Sequence, residues 1–159
     1  MGLVAAKIEP TAKEQIVEGL TQALAETSVV TMKAQNFHWN VTGMAFGPLH
    51  ELFQKIYEDH FEGQDILAER IKQFDVHAEG RYSVFLERSA IEEHDGRADA
   101  KEMIAVMLAD QETLSSTVSA LAEVAEEHGD WATNDLATAR IEVHDKFAWM
   151  LRAHLKTTA

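Results

Sequence analysis

Apolar residues recur at intervals of three and four along most of the chain, which places them on one face of an α-helix. They predict helix A over about residues 12–41, helix B over about 49–75, helix C through Met103 and Val124, and helix D up to Leu155. Helices A and B would each be roughly 40–45 Å long at 1.5 Å of rise per residue. Helices of that length favour an elongated four-helix bundle.

Residues at the ends of these segments predict where the helices start and stop. Thr11-Ala-Lys-Glu14 matches a capping box, in which the two outer side chains satisfy free backbone N–H groups. Pro48 lies where a proline in the first turn of helix B is tolerated. After helix C, Gly129 suits a left-handed C-cap and Asp130 suits the N-cap of helix D.

The stretch from Val76 to Asp99 has no regular apolar period, so it predicts a long crossover with a short helix around residues 88–93. A long crossover can return the chain to the opposite end of a bundle. We therefore predict a single all-α domain over residues 1–159, with short tails at 1–11 and 156–159. Such a bundle is compatible with cytokine-like, regulatory, electron-transfer and di-iron proteins. Residues that could bind a metal ion are needed to distinguish these classes.

The composition narrows the classes of function. The chain carries 14 basic and 27 acidic residues, a net charge of −13, which disfavours a broad DNA-binding face and would attract cations. It has no cysteine, so disulfides and thiolate chemistry are excluded. Residues 1–10 do not resemble a signal peptide, and no segment approaches the roughly 18 apolar residues of a membrane span. We expect a soluble cytoplasmic protein with no membrane partner.

Two histidines and two acidic residues form a candidate metal-binding set. His38 lies at the end of helix A, His50 opens helix B, and Asp65 and Glu69 share one face of helix B. Imidazole and carboxylate groups together suit iron or zinc. His50 and Asp65 are separated by roughly 22 Å along the helix, so no single ion can touch both in one subunit. Antiparallel B helices across a two-fold axis would bring the histidines of one subunit to the carboxylates of its partner.

Each of these residues also has an ordinary structural interpretation. His38 is typical of a capping or packing residue, the Asp-x-x-x-Glu spacing is typical of a solvated helix face, and Trp39 is suited to a core. None of the eight histidines has a glutamate three positions before it, so an ordinary intrasubunit di-iron centre is not expected. We interpret His60 as a packing or dimer-contact residue. The remaining histidines are interpreted as surface or packing residues: His77, His94, His128, His144 and His154.

Several segments of the chain resemble the Dps family, the mini-ferritins first described as DNA-binding proteins from starved cells. They are Lys33-Ala-Gln-Asn-Phe-His-Trp-Asn-Val-Thr-Gly43, Leu49-His-Glu51, Asp65-Ile-Leu-Ala-Glu-Arg70, His128-Gly-Asp130 with Asn134-Asp135, and Asp145-Lys-Phe-Ala-Trp-Met-Leu-Arg-Ala-His-Leu155. The resemblance implies ferritin-like four-helix subunits that assemble into a hollow dodecamer.

The resemblance also implies an iron-sequestering ferroxidase. Ferrous iron would be oxidised between subunits, preferably by hydrogen peroxide rather than dioxygen, and stored as ferric mineral, which limits oxidative damage. His38, His50, Asp65 and Glu69 would be the iron ligands, with Glu69 best placed to hold or bridge the irons. Trp39 would lie beside the site, and zinc could compete for the same ligands.

The chain departs from the family pattern at Gln54, where an aspartate usually follows the second histidine by four residues. A neutral amide is a weaker iron ligand than a carboxylate, so we expect one half of each site to bind iron weakly. In the family, acidic residues near the start of helix D line three-fold pores. The matching positions are Glu126 and Asp135, with Asp130 nearby.

Two competing functions remain open. A nucleoid-associated, DNA-protecting shell would rely on basic tails, but the chain offers only Lys7, Lys13 and Lys156 there. We therefore expect DNA binding to be weak or absent. A helical interaction module would carry the four ligands incidentally.

Overall fold

The computed structural model describes residues 5–156, with only the backbone described at Ala6, and its regular elements are all helical. They are a 3₁₀ turn at Ala5–Lys7 and the helices α1 (Pro10–Asn40), α2 (Phe46–Gln73), α3 (Tyr82–Arg88), α4 (Ala100–Glu127) and α5 (Trp131–Leu155). Helices α1, α2, α4 and α5 are the predicted helices A to D, so the all-α bundle is confirmed. The predicted C-terminal tail, except Lys156, lies outside the described residues. No helix within residues 5–156 has the length and apolar character needed to cross a membrane.

The bundle consists of two helix pairs. α1 packs along α2, and α4 packs along α5. Contacts between α1 and α4 join the two pairs, and α3 lies against α1. The interior is apolar, and its largest fully buried side chains are Ile16, Leu20, Phe37, Leu49, Phe53, Ile56, Leu67, Ile71, Met103, Met107, Leu114 and Leu121. Burial of these faces, rather than local propensity, supplies most of the stability of such helices.

The start of α1 differs from the prediction. The helix begins at Pro10, and Glu9 precedes it without a side-chain hydrogen bond to the helix. A proline in the first turn needs no N–H partner and has its φ angle already near the helical value. The capping box predicted at Thr11 and Glu14 is therefore wrong. Ile8 is buried against the core, so part of the predicted N-terminal tail belongs to the packed body.

The short crossover helix is confirmed, but α3 precedes the predicted position at residues 88–93. Phe85 is buried, which fixes α3 on the body. The helix ends at Arg88 and is followed by its C-cap residue Ser89, whose backbone N–H donates to the Phe85 carbonyl oxygen. The Ser89 hydroxyl oxygen also accepts from the Ile91 N–H at 2.9 Å. This local turn replaces helical hydrogen bonds at the residues where the prediction placed a helix.

The junction between α4 and α5 follows the predicted caps and also receives the end of α2. Gly129 has a φ of 71°, and Asp130 accepts from the Thr133 N–H at 3.1 Å. Arg70 donates to Asp130 at 2.8 Å and to the Thr133 hydroxyl oxygen at 2.9 Å. The end of α2 is therefore tied to the start of α5.

Candidate metal centre

His38 and His50 face each other across the turn between α1 and α2. Their rings stack with centroids 3.6 Å apart and planes inclined by 16°. Nδ1 of His38 lies 2.7 Å from the carbonyl oxygen of His50, and Nδ1 of His50 lies 2.7 Å from the carbonyl oxygen of His38. The two residues hold each other through reciprocal hydrogen bonds, and we call them the histidine pair.

These hydrogen bonds determine which nitrogen of each ring is available to a metal. A carbonyl oxygen can only accept, so Nδ1 of each ring must carry the proton and donate it. Each neutral ring then has its lone pair at Nε2, the form in which an imidazole binds a metal ion. The histidine pair therefore offers two metal-binding nitrogens whose rings are already oriented.

Aromatic side chains restrict the histidine pair further. Phe46 stacks on His50 with ring centroids 5.0 Å apart, and Tyr57 meets the His38 ring nearly at right angles at 5.3 Å. His38 itself is buried, whereas His50 is half-buried. Locked rotamers of this kind preorganise a site for its ligand.

The crossover loop holds the last turn of α1, a contact that the sequence pattern did not indicate. Asn36 donates to the carbonyl oxygen of His94 at 2.9 Å, and the His94 ring meets Phe37 edge-on at 5.1 Å. Gly96 has a φ of +76°, and a Cβ atom there would lie only 2.2 Å from Oδ1 of Asn36. Glycine allows both this backbone conformation and this close approach. The loop therefore positions the helix end that carries His38.

Asp65 and Glu69 lie exposed on α2. Among residues 5–156, neither carboxylate takes part in an ion pair, so both are available to a ligand outside the chain. Arg70, the residue after Glu69, is buried and donates to Asp130. Arg70 therefore fixes the end of α2 that carries the two carboxylates to the start of α5.

The structure does not bring the four predicted ligands together within one chain. His50 is at the start of α2, and Asp65 follows roughly 22 Å farther along the same helix. Within the described part of the chain, no three His, Asp or Glu side chains are grouped so that they could hold a metal ion. One subunit therefore carries a pair of imidazoles at one place and a pair of carboxylates at another.

Two further predicted site residues lie near the histidine pair in sequence. Trp39 directly follows His38 and is 61% exposed, so it is not a core residue. Gln54 is half-buried one helical turn after His50, and its Nε2 donates to Oε1 of Glu58 at 2.8 Å. The side chains of Trp39 and Gln54 are thus both outside the fully buried interior.

The three predicted pore residues have different environments. Glu126 and Asp135 are exposed on α4 and α5. Asp130 is fully buried, because its carboxylate caps α5 and pairs with Arg70. Asp130 therefore has a structural role inside the chain, and Glu126 and Asp135 are left as the candidates for a pore.

A second group of polar side chains lies inside the bundle and joins α2, α4 and α5. Nδ1 of His60 is 2.9 Å from Asp59, and Nε2 of His60 is 3.0 Å from the Gln111 amide nitrogen. The Gln111 amide oxygen is 2.9 Å from Nδ1 of His144. Arg140 donates to Asp59 at 2.8 Å. We call these five residues the buried polar network.

Burial lowers the pKa of both His60 and His144, so both rings are neutral near pH 7. Burial alone would raise the pKa of Asp59, but hydrogen bonds from His60 and Arg140 outweigh it and hold that pKa well below its ordinary value. Neutral His60 donates to Asp59 and accepts from Gln111, which in turn accepts from His144. Nε2 of His144 is buried without a hydrogen-bond partner in residues 5–156. These contacts agree with the packing interpretation of both histidines.

Comparison with known proteins gives the class of this fold. Residues 17–159 match the ferritin family, described as a ferritin-like domain. A DNA protection during starvation protein from Brevibacillus brevis is 34% identical over 86% of this chain and 92% of that protein. DNA protection during starvation protein 2 from Bacillus anthracis is 33% identical over 89% of this chain and 97% of that protein.

Solved structures agree with the sequence comparisons. A Dps protein from Bacillus brevis has a TM-score of 0.89 and 31% identity, covering 94% of this chain and 100% of its own. A Dps protein from Vibrio cholerae O1, described as a member of a broad superfamily of ferritin-like diiron-carboxylate proteins, has a TM-score of 0.89 and 30% identity, covering 94% of both chains.

The bundle, its crossover helix and the family match define a ferritin-like protein. Its identity to several Dps proteins over most of its length shows that the chain belongs to the Dps family of that superfamily.

Proposed function

We propose that this protein sequesters iron by oxidising Fe(II) at sites shared between two subunits and storing the ferric product inside a dodecameric shell. The observation that carries the proposal is the histidine pair, whose reciprocal hydrogen bonds leave both Nε2 atoms without a hydrogen-bond partner among residues 5–156. The free carboxylates of Asp65 and Glu69 complement it but lie too far away in the same chain. An isologous dimer completes the set with a second copy of each group.

In this arrangement, His38 and His50 of one subunit bind iron together with Asp65 of the partner subunit and Glu69 of the partner subunit. Neutral imidazoles and carboxylates form a ligand set that suits both Fe(II) and Fe(III). Glu69 holds or bridges the two irons, and the exposed indole of Trp39 lies beside them. Zinc competes for the same nitrogen and oxygen ligands.

The site couples two Fe(II) ions to one molecule of hydrogen peroxide. Each Fe(II) gives one electron, and peroxide takes two electrons and two protons to become two water molecules. Because both electrons are delivered at one site, a hydroxyl radical is not released. Dioxygen is a slower oxidant in this proposal, and the protective effect comes from removing iron and peroxide together in the cytoplasm.

A decisive test adds Fe(II) anaerobically to the purified protein and then adds hydrogen peroxide or dioxygen. We expect a fast rise in ferric absorbance with peroxide and a particle of about twelve chains in solution. A shell that does not oxidise iron would instead support a structural, DNA-protecting role. A monomer or dimer without oxidation would support a helical interaction module.

The DNA-protecting alternative rests on the names of the relatives from Brevibacillus brevis and Bacillus anthracis. Against it stands the net charge of −13 on each chain, which repels the phosphate backbone. Lys7, Lys13 and Lys156 near the chain ends are few, although many copies would give some avidity. We therefore keep iron oxidation as the main function and DNA binding as weak or absent.

Asp135→Asn should slow iron uptake, because Asp135 is an exposed carboxylate at the proposed pore. We expect the initial rate to fall by between about two- and tenfold at low ionic strength, and by less at 0.15 M salt, where screening is stronger. Stopped-flow ferric absorbance measures the rate. Asp135 lies near the start of α5, close in sequence to the end of α4. Glu102→Gln makes the same charge change in the first turn of α4 and should leave the rate unchanged. Equal rates for Asp135→Asn and the wild-type protein would mean that iron enters elsewhere.

A further inference from the structure

Gln54 and Glu58 extend the line of side chains that begins with His50 along α2. Successive members are four residues apart, so they lie on one face of the helix. Gln54 occupies the position at which the family pattern places an aspartate. Glu58 is exposed one turn farther on. The pair therefore lies where the weaker half of the proposed iron site needs an oxygen ligand.

The contact between these two side chains fixes the orientation of the amide. Nε2 of Gln54 lies 2.8 Å from Oε1 of Glu58. An ionised carboxylate can only accept, so the amide atom that faces it must be the NH₂ nitrogen. The amide oxygen of Gln54 is then the atom directed away from Glu58. No other hydrogen bond holds the Gln54 side chain among residues 5–156.

This orientation decides whether Gln54 can bind a metal ion at all. A carbonyl oxygen is a neutral but hard donor of the kind that divalent ions accept, whereas an amide NH₂ has no available lone pair and would repel a cation. An amide without a fixed partner would sample both orientations. A lock on the nitrogen therefore raises the fraction of subunits in which the oxygen is free to bind.

We propose that Glu58 is a positioning residue that keeps the amide oxygen of Gln54 available as a ligand for the second Fe(II) beside His50. The inference rests on the proposed ferroxidase site and extends it to a residue that would not itself touch iron. It would give a chain with glutamine at this position a usable second half-site. The carboxylate of Glu58 acts through the hydrogen bond, and its charge contributes separately.

Anaerobic titration with Co(II) tests this role without any oxidation. Calorimetry gives the number and affinity of the bound ions, and the Co(II) ligand-field absorption reports on their ligands. In the wild-type shell we expect a tight ion and a weaker ion at each shared site. Glu58→Ala should weaken the second ion by between about three- and tenfold and leave the first unchanged.

The conservative variant separates hydrogen bonding from charge. Glu58→Gln loses the charge but keeps an oxygen that can accept from Gln54, so it should recover much of the affinity lost in Glu58→Ala. Glu62→Ala removes the same charge from an exposed position one turn beyond Glu58, and among residues 5–156 Glu62 makes no hydrogen bond to Gln54. It serves as the matched control and should have a smaller effect than Glu58→Ala.

Replacing the amide removes the need for positioning. In a Gln54→Asp background the second ion should bind more tightly, because a carboxylate is the stronger ligand. Adding Glu58→Ala there should have no greater effect than adding Glu62→Ala. Equal losses in Glu58→Ala and Glu58→Gln, or no loss in either, would overturn the positioning role. If the wild-type protein bound no Co(II), or bound it equally well after His50→Ala, the proposed function itself would be overturned.

Discussion

Mixing two inactive variants should restore about a quarter of the ferroxidase sites of the wild-type protein. His50→Ala removes a nitrogen ligand and Glu69→Ala removes a carboxylate, so each variant alone should lose roughly 100-fold or more of its oxidation rate. If the site is shared as proposed, the intact histidine pair of one subunit in a hybrid dimer meets the intact carboxylates of the other. One of the two sites is then complete, and the other lacks both groups.

Equal amounts of the two subunits give about half hybrid dimers if they pair at random, so about one site in four is complete. Co-expression with different tags allows mixed shells to be purified, and the initial rate of peroxide-dependent iron oxidation measures the restored sites. The control mixes His50→Ala with His38→Ala. Both changes remove a member of the histidine pair, so no hybrid dimer contains a complete site. Restoration in this control, or its absence in the first mixture, would contradict a site shared between subunits.

The long helices were predictable because their apolar faces extend over many turns, and tertiary burial reinforces the same period. The errors in the prediction concern helix ends, where a single residue determines whether the helix starts or stops. Pro10 starts α1 in place of the predicted capping box. Directly after α3, the Ser89 hydroxyl forms a local turn with the Ile91 N–H, at the residues where a helix was predicted. Local competition of this kind leaves no periodic signal in the sequence.

The types and spacing of the candidate ligand residues could be recognised in the sequence, but the hydrogen bonds that hold their side chains could not. The reciprocal bonds of His38 and His50 depend on how the turn between α1 and α2 folds back. The contact of Asn36 with His94 joins residues far apart in the chain. The link from Gln111 to His144 likewise crosses between two helices. Such contacts follow from the packing of whole elements, which local patterns in a single sequence do not reveal.

Acid should destabilise the folded subunit from about pH 6.5 downward, through the two histidines of the buried polar network. Burial lowers the pKa of His60 and of His144, so both are neutral in the folded state. In the unfolded chain they take up protons below about pH 6.5. The folded state then binds fewer protons than the unfolded state, so the free energy of unfolding falls as the pH falls. Each histidine lowers it by up to about 1.4 kcal/mol per pH unit.

Asp59 acts in a separate, more acidic range. Its folded-state pKa is held well below the ordinary value by hydrogen bonds from His60 and Arg140, which outweigh the opposite effect of burial. Its contribution to stability is complete above about pH 4 and is lost as the pH falls further. Within the network, the decrease in the free energy of unfolding between pH 6.5 and 4 therefore comes from His60 and His144 rather than from the ion pair of Asp59 and Arg140.

His144→Leu should make the protein less stable at pH 7.5, because Gln111 loses a hydrogen-bond partner, but also less sensitive to acid. Between pH 7.5 and pH 5.0 the variant should lose about 2 kcal/mol less unfolding free energy than the wild-type protein, the effect of one histidine over roughly 1.5 pH units. Urea unfolding at one protein concentration measures both values, since assembly makes stability depend on concentration. His154→Gln, at an exposed position, should keep the wild-type acid sensitivity. The same loss in His144→Leu and the wild-type protein would mean that the protonation of His144 is not coupled to unfolding.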